Sequence, residues 1–512
     1  MGSRGASAGV GASQLVSQNQ TKRKRISQTY IIHAYKSKSN HKHKGLPPGP
    51  KGLPILGNLL MIGEFPHRDL HHLSTQYGPI FYIRLGFIPT IVVSTPQTAE
   101  LFLKTHDLSF AGRPFSLASR YISYDQKNLT FATYGPYWRN IRKLCTLKLL
   151  SSKKVESFRS MRSTELGLLV TSLKHAATEC EIVNVSNRVL SLSTDMSCLM
   201  VFGNKSMKSS DDHKGFQDVV HEGMKLGAIF NIADYIPYIG LLDVQGLGKR
   251  MKEVSKVFDE LFEMIIDEHV KVFDKDNQKD FVDVMLAFMD EKDADFFIDR
   301  SNIKAIILDM MIGSMDTSST AVEWTISALL KNPRVMKKVQ EELERVIGLD
   351  RLVEESDLPN LEYLDMVIKE SMRLYPVAPL LVPHEAMEDT IVNGFFIPKT
   401  SRIIINSWAI GRDPNSWTDP GEFIPERYIE NNIDLRGQDF QLLPFGSGRR
   451  GCPGIQLGLL AVRLIVAQLV HCFDWELPNG MLPDDLDMTE EFGLSMPRAK
   501  NLLAIPKYRL RN

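Results

Sequence analysis

Paired cysteines are missing from this chain. Its 512 residues include five, Cys145, Cys180, Cys198, Cys452 and Cys472. The number is odd, the spacing wide, and no C-x-x-C or zinc-type Cys/His pattern occurs, which excludes a disulfide framework or a zinc fold. All but Cys452 read as buried free thiols of a reducing compartment. Acidic residues are absent from positions 1–45, which hold nine bases: Arg4, Lys22, Arg23, Lys24, Arg25, Lys36, Lys38, Lys42 and Lys44. Long apolar runs are absent there too. Tyr30-Ile31-Ile32 falls far short of the roughly 20 residues that span a bilayer, and no secretory apolar core is present. This segment fits a plastid or mitochondrial transit peptide, a disordered basic tail, or an unrepresentative start to the chain. From residue 46 onward low-complexity linkers and internal repeats are both lacking, so the remainder reads as one large domain.

The composition that is present, 43% hydrophobic and 24% charged, is that of a globular protein. A chain of this size buries about three quarters of its unfolded surface and needs no staples. Basic and acidic residues balance at 61 each. Because the tail takes nine of the bases, the rest carries 52 against 61 acids, a surplus of acid that excludes a globally basic nucleic-acid binder. Residues 46–54, Leu-Pro-Pro-Gly-Pro-Lys-Gly-Leu-Pro, favour a stiff extended segment and read as a hinge between tail and globule. Residues 80–86 and 90–94 read as a β-hairpin across a Gly/Pro turn. Residues 303–330 form a long apolar helix interrupted at 313–317, residues 341–346, 361–374 and 455–473 are further helices, and 390–392 and 402–405 are short strands. The fold class expected is mainly α with small β-sheets.

Chemistry concentrates at Phe445-Gly446-Ser447-Gly448-Arg449-Arg450-Gly451-Cys452-Pro453-Gly454. Glycines on both sides of one cysteine let the backbone approach something flat and bulky. Pro453 suits the first position of a helix, which would set Cys452 where free N–H groups and the helix dipole stabilise a thiolate. With Arg450 two residues before it, that cysteine fits an iron ligand beside a cation for a haem carboxylate.

The stretch resembles the haem-binding loop F-x-x-G-x-R-x-C-x-G of the cytochrome P-450 superfamily, with Phe445, Gly448, Arg450, Cys452 and Gly454 as its fixed letters. The companions follow in the family's order. Glu370-Ser371-Met372-Arg373 is a Glu-x-x-Arg whose charges share one helix face. Residues 423–428, Phe-Ile-Pro-Glu-Arg-Tyr, resemble P-E-R-F with tyrosine for the last letter. The resemblance implies that Glu370, Arg373 and Arg427 form a buried network behind the cofactor loop. Trp138-Arg139-Asn140-Ile141-Arg142 resembles W-x-x-x-R, in which Trp138 and Arg142 join Arg450 on the haem propionates. His384 stands where related plant proteins often place a basic propionate contact.

Gly313-Ser314-Met315-Asp316-Thr317-Ser318 resembles (A/G)-G-x-(D/E)-T-(T/S). A hydroxyl and a carboxylate in mid-helix can bond the backbone and hold water, and the resemblance makes Asp316 and Thr317 the pair that organises proton delivery to bound dioxygen. Ser314 replaces the usual second glycine, leaving the local groove shape open. Coverage runs from residue 46 to 512. The proline segment, residues 134–139 and Glu491-Phe492-Gly493-Leu494 look like plant A-type microsomal members.

The resemblance implies a haem b monooxygenase with axial Cys452, supplied with electrons from NADPH by cytochrome P-450 reductase, with cytochrome b5 as an additional donor. It implies a location on the cytosolic face of the endoplasmic reticulum membrane, the plastid being the alternative raised by residues 1–45. Pocket-forming segments are expected at residues 110–123, 227–233, 306–313, 377–382 and 494–496. The apolar run 377–382, Val-Ala-Pro-Leu-Leu-Val, argues for an uncharged substrate, and phenolic, biphenyl-like or terpenoid plant metabolites follow by resemblance. Residues 235–242 are a candidate lipid-touching loop. Two alternatives stand beside this reading: a haem–thiolate isomerase or dehydratase acting on hydroperoxides without a reductase, and a non-catalytic haem-binding protein.

Overall fold

A computed structural model describes residues 45–511 apart from 206–218, 220, 221, 224, 228, 237, 240, 241, 275–278, 291–295 and 432. The basic tail and parts of the segments at 227–233 and 235–242 lie outside the described residues. The helices that build the site are α1 (Pro66–Tyr77), α2 (Pro136–Leu144), α3 (Arg159–Thr178), α4 (Val185–Phe202), α5 (Leu247–Val272), α6 (Phe281–Met289), α7 (Arg300–Lys331), α8 (Pro333–Ile347), α9 (Glu362–Leu374) and α10 (Ile455–Cys472). The strands are β1 (Ile80–Leu85), β2 (Ile88–Val93), β3 (Val183–Asn184), β4 (His384–Glu385), β5 (Thr390–Val392), β6 (Phe395–Ile397), β7 (Arg402–Ile405), β8 (Phe473–Glu476) and β9 (Leu503–Tyr508). The fold is thus mainly α with three small sheets, ordered β1-β2-β7-β4, β3-β9-β8 and β5-β6.

Helix α7 is the axis. Asp299 caps it by accepting from the Asn302 amide, and Asn302 reciprocates, a box that satisfies two otherwise orphaned donors. Most of its length is buried, Val322 and Trp324 completely, because its apolar residues are spread around the helix rather than confined to one face. Helices α4, α9 and α10 pack along it. Contrary to the sequence reading, α7 is not interrupted at 313–317. The Ser314 and Thr317 hydroxyls donate back to Met310 and Gly313, and with neighbours on several sides the helix absorbs these bonds and stays continuous.

Helix α10 is long and apolar enough to cross a membrane. It is nonetheless a core helix here, packed on α3, α7 and α8.

Two further expectations need correction. The proline-rich segment is docked rather than free. The Tyr82 amide donates to Pro48 O at 2.8 Å, covering the β1 edge of the sheet, and Gly49 lies so close that a Cβ would sit 1.8 Å from Tyr82 O. Strand β6 went unread, although Asn393-Gly394 between β5 and β6, both at positive φ, is a strong two-residue hairpin signal.

One long-range lock carries a pH prediction. His269, near the end of α5, lies 3.1 Å from Asp280, the cap of α6, and its Nδ1 donates to Ile265 O. Burial opposes the imidazolium, but the bonds to Asp280 and Ile265 outweigh it and raise the pKa from 6.5 to about 9. A raised pKa means that the lock stabilises fully below pH 6.5 and is lost as pH climbs through 9. The melting temperature should fall over that window, and His269→Gln should flatten the fall. An unchanged slope in the variant would remove His269 as its source.

Candidate functional site

The loop before α10 is shaped by glycine at one position above all. Gly448 has φ +68°, and a Cβ there would meet Leu103 O at 2.2 Å, so no other residue fits without displacing the backbone. The loop closes on itself when the Cys452 amide donates to Phe445 O at 2.9 Å. Helix α10 starts at Ile455 with Gly454 as its cap, so Pro453 precedes the helix rather than opening it as expected. What remains of the dipole argument is local: the Gly454 N–H bonds to the Cys452 sulfur and favours its anion, as does Arg142. Burial is the larger effect and pushes the thiol up. The residue nevertheless keeps exposed surface. A group both enclosed and accessible opens onto an internal concavity.

Around that loop, cations outnumber the acids near them among the described residues. Arg450 donates to Ala111 O and Ala132 O at 2.7 Å each, leaving Nη1 buried and without a partner. Burial first, then repulsion from Arg142, holds its pKa down at about 10. Arg142 makes no hydrogen bond or ion pair among the described residues, and burial depresses its pKa. Arg113, which sequence reasoning missed, is buried and held by the carbonyls of Thr130, Val382 and Pro383. Its signal was the adjoining Gly112, where a Cβ would lie 2.7 Å from Glu385 O. Among these arginines and the described residues, only Arg449 forms an ion pair, with Asp107 at 3.1 Å. Three arginines without a counter-ion are costly unless an anionic group joins them.

Trp138 does not play the part expected of it. Its indole N–H is committed to Leu129 O at 3.0 Å, so it has no donor left for a propionate. Its ring instead lies beneath two guanidiniums, Arg450 at 4.4 Å and Arg142 at 5.9 Å, a cation–π seat. His384 is buried and donates from Nδ1 to Phe110 O at 2.9 Å. Burial, then Arg113, drives its pKa well below 6.5. That shift favours the neutral ring, whose Nδ1 proton is taken by Phe110 O.

Behind the loop, Glu370 and Arg373 on α9 pair at 2.8 Å through two bonds with both side chains 0% exposed. Arg427 adds a third charge at 3.0 Å, and the Ile424 amide donates to the same carboxylate. Arg373 also reaches the carbonyls of Gly411, Pro420 and Glu422, stitching α9 to the segment leading into the loop.

On α7, Gly313 and Thr317 are exposed within a mostly buried helix, and a Cβ on Gly313 would touch nothing. This face borders internal space. Thr317 Oγ1 donates to Gly313 O at 2.6 Å. Asp316 accepts from the Ser495 hydroxyl, and its pKa is raised to about 6 by burial first and Glu323 second. Ser314 faces elsewhere, bonding Ser197 on α4 at 2.7 Å, so the departure from glycine does not alter the open face. Two of the expected pocket segments meet where the Met496 amide donates to Val377 O, and the Leu117 amide donates to Asp234, one residue beyond the expected 227–233 segment.

Comparison with known proteins places these features in a lineage. A family model for cytochrome P450 matches residues 47–505. Cytochrome P450 CYP736A12 of Panax ginseng is 53% identical, covering 92% of this chain and 94% of its own. Cytochrome P450 84A1 of Arabidopsis thaliana is 43% identical over 91% and 92%. Flavonoid 3'-monooxygenase CYP75B137 of Crocosmia x crocosmiiflora is 38% identical over 94% and 96%. Among solved structures, a zebra fish cytochrome P450 with progesterone superposes with a TM-score of 0.76 at 28% identity, covering 86% of this chain and 99% of that one.

Proposed function

Because the chain belongs to the cytochrome P450 family, whose members are haem–thiolate monooxygenases with cysteine-ligated iron, we propose that Cys452 supplies the ligand and that the enzyme hydroxylates an uncharged, apolar small molecule. One observation carries the reading: an enclosed but accessible thiol stands beside Arg142, next to Arg450 and Arg113, and none of the three forms an ion pair with a carboxylate among the described residues. The residues fit the group. Arg142, Arg450 and Arg113 form the cationic side for two propionates, with His384 taking up a proton as they settle. Gly454 leaves room for the ring beside the Cys452 sulfur, Gly448 seats the loop against Leu103 so that it can lie along the ring, and Phe445 borders it.

When bound, the haem supplies dioxygen activation, helped by electron donation from the thiolate. The chain's own part is proton handling. Thr317, tied to Gly313 O, keeps its lone pairs free to hold water at the open face of α7. Asp316, anchored by Ser495 and poised near pH 6, takes up and returns protons. Product formation should therefore rise as pH climbs through about 6, the range in which Asp316 ionises. Asp316→Asn should lower turnover on the order of 100-fold and erase that limb. A variant that keeps both rate and limb would dismiss Asp316.

An apolar 377–382 segment and the name of the 38%-identical flavonoid 3'-monooxygenase support a phenolic, biphenyl-like or terpenoid substrate. Electrons come from NADPH through cytochrome P-450 reductase at the cytosolic face of the endoplasmic reticulum. The test is reconstitution with that reductase and a panel of such compounds. Products gaining one oxygen only with NADPH and O2 support the reading. Conversion of hydroperoxides without reductase would overturn it in favour of an isomerase or dehydratase.

A further inference from the structure

Asp309 lies on α7 one turn before Gly313, and no reading of the sequence singled it out. It is half-buried with its carboxylate turned into the protein, and all four bonds it accepts come from one short turn. Asn128 Nδ2 donates at 2.8 Å, the Leu129 amide at 2.5 Å, the Thr130 amide at 3.1 Å and Thr130 Oγ1 at 2.9 Å. No lysine or arginine pairs with it among the described residues. The opposite side of the same turn is occupied just as fully. Leu129 O receives the Trp138 indole, Thr130 O receives Arg113 Nε at 3.1 Å, and Ala132 O receives Arg450 Nη2.

We propose that Asp309 is a positioning residue for the cofactor's carboxylates: it fastens the 128–132 turn to α7 and thereby places the carbonyls from which Arg113, Arg450 and Trp138 are hung. The proposal rests on the haem reading above. Long guanidinium side chains have about 2 kcal/mol of rotamer entropy to lose, so cations held beforehand bind an anion more tightly than free ones. Three of the groups that set the cationic side come from distant stretches of chain, residues 113, 138 and 450. The turn is the shared part that fixes their spacing, and among the described residues the bonds of residues 128–130 to the central helix all end on one carboxylate, with Lys127 beside them reaching the helix start. Asp309→Asn conserves shape but turns an acceptor into a donor facing N–H and O–H groups.

The test compares wild type with Asp309→Asn, Thr130→Val and a control, Asp365→Asn, which breaks a half-buried pair with Arg463 away from the 128–132 turn. The rate of haem transfer to excess apomyoglobin and the haem midpoint potential are measured, with melting temperature alongside. Asp309→Asn should release haem roughly tenfold faster and shift the potential. Thr130→Val, which deletes one of the four bonds, should do so a few-fold, and it carries the test if Asp309→Asn does not fold. The control should alter melting only. Wild-type haem release and potential in Thr130→Val and in any folded Asp309→Asn would overturn the positioning role, as would changes that merely track melting in the way the control's do. A wild-type protein with no thiolate-type spectrum would instead sink the haem reading itself.

Discussion

Cys452→Ser should eliminate the red-shifted Soret band of the reduced, carbon-monoxide-bound protein and reduce oxygenation to background. The argument is electronic and local. Serine replaces the polarisable sulfur with an oxygen that is a far weaker donor to iron. The surroundings are arranged for a thiolate: the Gly454 N–H and Arg142 both favour the anion against the burial that opposes it. Because the loop is held through backbone, by the Cys452 amide on Phe445 O and by Gly448 against Leu103, the variant should keep its fold. A folded variant that still gave the red-shifted band would move the ligand to another residue. A wild-type spectrum of the histidine-ligated kind would do the same and would remove the proposed mechanism.

The second large effect is structural. Glu370→Gln should cost about 3–5 kcal/mol, the range for breaking a buried ion pair from one side, and should lower the yield of haem-loaded protein. Glutamine leaves Arg373 and Arg427 facing each other with no counter-charge. The site has no solvent to screen them, since Glu370 and Arg373 are both 0% exposed. The contrasting substitution is Glu426→Gln in the same neighbourhood. Glu426 meets Arg334 and Lys338 near the surface, where such pairs are worth about 1 kcal/mol or less. Thermal unfolding of the two variants measures the difference. Equal losses would show that the Glu370 network carries no special share of the stability.

Much of the site was legible because it is local. Gly448, Cys452 and Gly454 lie within seven residues, and their chemistry follows from backbone freedom and one thiol. Glu370 and Arg373 share a helix face by spacing alone, although spacing said nothing of their complete burial. The helices were legible from period, while β6 was passed over in spite of its Asn-Gly turn. Misreadings came where tertiary contacts competed with a local rule. The hydroxyls in α7 did not break a helix supported on several sides, and Pro453 did not open a helix that Gly454 caps. The W-x-x-x-R resemblance points Trp138 at an anion, but its N–H goes to a carbonyl nine residues earlier.

The sequence by itself determined the glycine pattern around Cys452, the adjacency of Asp316 and Thr317, the Glu–x–x–Arg spacing and the mainly helical class, since each depends on residues a few positions apart. Tertiary structure alone decided which cations converge. Arg113 and Arg450 meet on carbonyls of the 128–132 turn, which Asp309 joins to α7, and Arg142 lies beside them over the Trp138 ring. Hydrogen bonds of this kind join groups up to some 340 positions apart, and no periodicity in the chain records them.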